Sequence, residues 1–124
     1  MQDYRRHGVS FQYPSGWELT EEGNEQERTI TLQTAGASFW TITLFADRPE
    51  PEQLLESVLQ AYRDDYDDVD VYPQPGEAGL LPSAGADLDF VYLDLVNSVS
   101  VRAFQTADRS AVVIFRGRTR SWRC

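Results

Sequence analysis

The 124-residue chain has no lysine, one histidine (His7), one cysteine (Cys124) and no apolar run approaching the roughly 20 residues that a membrane helix needs. Each absence removes a class of chemistry. Without lysine there is no phosphate-cradling or Schiff-base amine, and none of G-x-S-x-G, G-x-x-x-x-G-K-[ST] or G-x-G-x-x-G occurs. A lone cysteine forms neither an internal disulfide nor a Cys-based metal site, which points to a reducing compartment. The N-terminal stretch carries Arg5 and Arg6 with no apolar segment behind them, so no secretion signal is expected and the default location is cytoplasmic. Basic excess is missing too. Eleven arginines face 20 acidic residues, a net charge of −9 that repels phosphate backbones and anionic lipid, so neither nucleic acid nor a membrane is expected as partner.

What is present is a β-rich pattern. Val9, Phe11 and Tyr13 alternate with polar residues. Pro14-Ser15-Gly16 interrupts before Trp17 and Leu19, predicting two short strands around a turn. A polar loop is expected over Glu21–Gln26, then strands over Arg28–Thr34 and Phe39–Phe45, the latter with Trp40, Ile42 and Leu44 on one face. From Pro51 the period changes to 3.6: Leu54/Leu55, Val58/Leu59, Tyr62 and Tyr66 share one side of a helix over 51–66, with Pro51 at its first position. A short strand Val69–Tyr72 and a loop rich in Gly and Pro follow. Strands Asp87–Leu95, Val99–Thr106 and Ala111–Phe115 then form a meander, with turns at Asn97-Ser98 and Ala107–Arg109. The fold class is α+β, one domain over 1–124. An antiparallel sheet of about six to eight strands carries one main amphipathic helix on a face, packed through Leu55, Val58, Leu59 and Tyr62.

Few residues suggest chemistry. His7 lies in a polar stretch without the setting of a catalytic pair and reads as an exposed histidine. Asp64, Asp65, Asp67, Asp68 and Asp70 form one dense carboxylate run, but an EF-hand register from Asp65 places Val69 fifth and Asp70, not Gly, sixth. No metal site is expected. These carboxylates oppose the negative end of the helix dipole, which leaves two readings, a solvated helix end or an acidic patch recognising a protein partner. Asp87 and Asp89 read as a solvated strand face. Phe39, Trp40, Phe45, Phe90, Tyr92, Phe104 and Phe115 read as core, with a ligand groove as the alternative.

The stretch Gly8-x-x-Phe11-x-Tyr13-Pro14-x-x-Trp17 resembles the opening motif of the PsbP-like superfamily, the group with the PsbP and Mog-type fold, and the order of elements over roughly residues 4–117 is similar. Phe11, Tyr13, Pro14 and Trp17 act there as a structural corner: Pro14 ends ladder donation and Gly16 lets the chain fold Trp17 back. The resemblance implies an antiparallel sheet flanked by helices. Members close with a helix after the last strand, whereas here residues 116–124 hold four arginines and no acid. The expectation is therefore a non-enzymatic protein-interaction domain without cofactor, its partner unknown. The alternative is a small-molecule or lipid-binding domain using the aromatic sheet face. Because Ala111–Phe115 is apolar on both faces and the helix covers only one, a homodimer through an exposed sheet face is also expected.

Overall fold

Alternating apolar and polar side chains put most of this chain into strands. The computed structural model describes residues 1–6, 9–34, 38–66, 68–74, 83–92 and 95–118. Among them are β1 (Gln2–Arg6), β2 (Val9–Tyr13), β3 (Glu18–Gly23), β4 (Glu27–Gln33), β5 (Phe39–Phe45), α1 (Pro51–Asp65), β6 (Asp70–Gln74), β7 (Ser83–Tyr92), β8 (Leu95–Gln105) and β9 (Ser110–Arg118). β3 to β9 build one seven-stranded sheet in the order β3-β4-β5-β9-β8-β7-β6, and β1-β2 form a separate two-stranded hairpin. Every pairing is antiparallel. Two meanders thus meet where β5 pairs β9, Phe45 opposite Ser110 and Phe39 opposite Arg116.

The two faces of the sheet are covered by different devices. On one face α1 lies over β7, β8 and β9. Its Leu54 and Leu59 join Leu88, Phe90, Val99, Val101 and Val112 in a buried cluster, flanked by Leu55, Val58 and Tyr62. On the other face the β1-β2 hairpin brings Tyr4 onto Ile30, Leu44 and Ala111, with Phe11, Tyr13 and Leu19 beside them. Central strand β9 therefore gives Val112 and Ile114 to the helix cluster and Ala111 to the hairpin cluster, as its continuous apolar sequence requires. This corrects the premise that the second face awaits a second copy: the chain's own first strands cover it, and Phe115 is buried beside Trp40 at 4.4 Å.

Buried polar groups anchor the helix start. Gln105 Nε2 donates to the carbonyls of Arg48 and Pro49, and Ser110 Oγ, fully buried, donates to the Pro49 carbonyl at 2.6 Å. Pro51 follows in the first turn, where its missing N–H has no intrahelical partner.

Several expectations about the elements change. β1 was hidden in a polar stretch, and β2 pairs with it instead of with the strand after the corner. Glu21–Gly23 belongs to β3, not to a loop; only Asn24–Gln26 turns, capped by Asn24 Oδ1 accepting from the Gln26 and Glu27 N–H groups. Gly23 permits that turn at φ 114°, where a Cβ would stand 2.3 Å from the Glu27 carbonyl oxygen. Asn97-Ser98 is not a turn. Both lie in β8, Ser98 buried against Asp89, and the strands reverse between Tyr92 and Leu95, which face each other. Pro73 does not end β6, because β6 is the sheet edge and a missing donor costs nothing there.

Candidate functional site

The corner residues Phe11, Tyr13, Pro14 and Trp17 do more than turn the chain. Tyr4 and Phe11 stack at 4.9 Å and Tyr13 stands beside Phe11, so the hairpin presents an aromatic underside to the sheet. The Trp17 N–H donates to the Pro14 carbonyl at 3.0 Å, folding the indole back toward the same side. Across from them, β4, β5 and β9 contribute Leu32, Trp40, Ile42 and Val113. Between the two layers lies a cleft of about 460 Å³, lined by these eight residues with Ser10 and Gln12. Among the described residues no charged side chain lines it. Tyr4 and its neighbours fill the middle of the hairpin–sheet interface, and the cleft opens where that packing ends, at Trp40, 37% exposed.

A polar clasp holds the hairpin in place. Buried Tyr4 donates its hydroxyl to Glu21 Oε1 at 2.6 Å, and Arg6 Nη1 meets Glu21 Oε2 at 2.9 Å. Burial, then the bond to the Glu21 carboxylate, pushes the Tyr4 phenol well above its ordinary range. Glu21 lies on edge strand β3 and not in a loop, and its position two residues after Leu19 points it at the hairpin.

The acidic run is placed differently. Asp64, Asp65, Asp68 and Asp70 are all exposed, Asp64 accepting from Gln60 Nε2 at 2.8 Å; Asp67 lies outside the described residues, as does His7. Asp68 has a left-handed backbone, φ 55°, which aspartate tolerates. Among the described residues no three His, Cys, Asp or Glu side chains come together to hold a metal. Asp87 and Asp89 are half-buried and engaged, contrary to a freely solvated face. Asp87 pairs with Arg102 Nη1 at 3.0 Å and Asp89 accepts from Ser98 Oγ at 2.8 Å.

A second surface went unread in the sequence. The β7-β8 hairpin ends in Val91, Tyr92, Leu95 and Val96, each about half exposed. Nearby, Tyr66 stacks on Phe90 at 4.2 Å and meets the Tyr92 ring edge-on, while the Arg116 guanidinium lies 5.2 Å from the Phe90 ring and 5.7 Å from that of Tyr66. The missed signal was the run Val91–Val96 itself, apolar except at Asp94, which hid the reversal within it.

No protein-family model matches the chain, and no curated protein matches its sequence. No helix among the described residues is long and apolar enough to cross a membrane.

Proposed function

We propose that this chain is a non-catalytic binding domain of the PsbP-like superfamily and that its cleft takes a flat, uncharged apolar ligand, an aromatic ring system or an acyl segment. The observation that carries the reading is the aromatic cleft of about 460 Å³, within the roughly 300–1,000 Å³ span of small-molecule sites. Its chemistry narrows the ligand. Two indoles, two further rings and three aliphatic side chains reward apolar area, and a charged ligand would lose its hydration without gaining a counter-ion. The Tyr13 hydroxyl makes no hydrogen bond to the described residues, so it is free to orient one neutral polar group of the ligand. That all four corner residues line the cleft supports treating the resemblance and the binding site as one feature.

Thermal unfolding with 1-naphthol and with n-decanol tests the reading. A ligand that binds only the folded chain raises the melting temperature as its concentration passes the dissociation constant. The rise is expected for at least one probe and should vanish in Trp17→Ala. No rise with either probe, or an equal rise in Trp17→Ala, would remove the cleft from consideration.

A protein-interaction role is the second reading, favoured by the exposed apolar tip at Val91, Tyr92, Leu95 and Val96. A cytoplasmic protein partner, or a second copy forming a homodimer, would bury that tip, with the carboxylates Asp64, Asp65 and Asp68 at the rim. Light scattering behind size exclusion separates the copy from the foreign partner.

A further inference from the structure

At the opposite end of the hairpin-covered face, away from the aromatic cleft, a smaller cavity of about 350 Å³ is lined by Asn24, Glu25, Arg28, Leu44, Ala46 and Arg109. We propose that it is an anion site that takes a phosphate group, as the free ion or as a small monoester. Among the described residues Arg6 and Arg102 pair with carboxylates, Arg48 donates to the Thr106 carbonyl and Arg116 lies over aromatic rings. Arg28 and Arg109 line one cavity together, and neither guanidinium makes a hydrogen bond or ion pair with the described residues.

Both are carried on fixed backbone. Arg28 lies in β4, paired to Gly23 on one side and Leu44 on the other. Arg109 closes the β8-β9 turn, its N–H donating to Thr106 Oγ1 and its carbonyl accepting from the Thr106 N–H at 2.8 Å. Asn24 adds a donor: its Oδ1 is used by the Gln26 and Glu27 N–H groups, which leaves the side-chain NH₂ for a ligand. Two guanidiniums match the near-dianionic charge of phosphate at neutral pH, and their paired donors fit its oxygens. Glu25 also lines the cavity and offsets one positive charge, so selectivity for phosphate rests on the paired guanidinium donors and not on net charge. Leu44 and Ala46 give an apolar floor for the carbon part of a monoester, which a cavity of this size admits.

Isothermal titration of the full chain with inorganic phosphate, phenyl phosphate and acetate, at matched ionic strength, tests this. Phosphate or its monoester should bind at millimolar concentration or below, and Arg28→Gln and Arg109→Gln should each weaken binding about tenfold or more. Since neither guanidinium is bonded to the described residues, both variants should keep the parent's melting temperature in the absence of ligand. Tighter binding of phenyl phosphate assigns the ligand as a monoester, equal binding as the free ion. The proposal is overturned if neither phosphate compound binds, if acetate binds as tightly, or if the two variants bind like the parent.

Discussion

The two covers of the sheet are built to different tolerances. Under α1, aliphatic side chains interdigitate with β7, β8 and β9, and Leu59, Leu88 and Val101 are excluded from water. Under the β1-β2 hairpin, five-residue strands pressed by large rings fill only the middle of the interface and leave a cleft at one end, a cavity at the other. Helical ridges close-pack against a sheet because side chains project in many directions; a flat two-stranded ribbon offers one row of rings and cannot follow the sheet to its edges. The filled side therefore holds the fold, and the loosely covered side leaves the space that the proposed ligand would occupy.

That division can be broken most directly by emptying each side in turn. Leu59→Ala should cost about 2–5 kcal/mol, because the site is walled by rigid strands and cannot collapse. Trp17→Ala removes a larger side chain, yet it should cost less, about 1 kcal/mol, since the indole already borders open cleft. Denaturant unfolding reads both. Equal losses would mean that the hairpin is as structural as the helix.

Tyr4→Phe sharpens the comparison by testing how the hairpin is held. Losing the bond to Glu21 should cost about 1 kcal/mol at neutral pH. The sign at alkaline pH follows from the raised phenol. The unfolded chain's tyrosine ionises near 10 while Tyr4 in the folded chain stays protonated, so the unfolded state loses protons first and stability falls as pH rises past about 10. Half-buried Tyr62, also raised by desolvation, contributes a further fall that Tyr4→Phe leaves in place. The variant should show a shallower alkaline decline; an unchanged slope would contradict the clasp. The smallest effect belongs to the acidic helix end. Asp65→Asn with Asp68→Asn should leave stability unchanged or raise it by a few tenths of a kcal/mol, because exposed like charges near the negative dipole end are relieved. A calcium-dependent rise in the parent's melting temperature, lost in the double variant, would instead establish a metal site.

The helix and the central strands were legible because their periodicity is strong. Pro51, Leu54, Leu59 and Tyr62 mark one face of α1, and Trp40, Ile42 and Leu44 mark one face of β5. What escaped was long-range pairing. Nothing local in Gln2–Arg6 announces a strand, since only Tyr4 is buried, and its value lies in contacts with β2 and Glu21 that no short window contains. The β7-β8 reversal was misplaced because Asn97 and Ser98 carry turn chemistry whereas the apolar residues around the true reversal do not. The corner Phe11-x-Tyr13-Pro14-x-x-Trp17 was read as a bend. Its role as one wall of a cleft depends on Trp40, Ile42 and Val113, which the sheet order alone brings opposite.

The central claim is that the gap under the hairpin is a binding site, and the indole N–H resonances test it most directly. The chain has three tryptophans, and a Trp122→Phe variant leaves only Trp17 and Trp40, both lining the cleft. Titration of that variant with 1-naphthol, followed by proton–nitrogen correlation spectra, should move both indole signals along one saturable curve, together with the amides of Ile42 and Val113. Indoles that stay fixed up to the solubility limit of the probe, or shifts confined to Tyr92 and Leu95 at the hairpin tip, would contradict it.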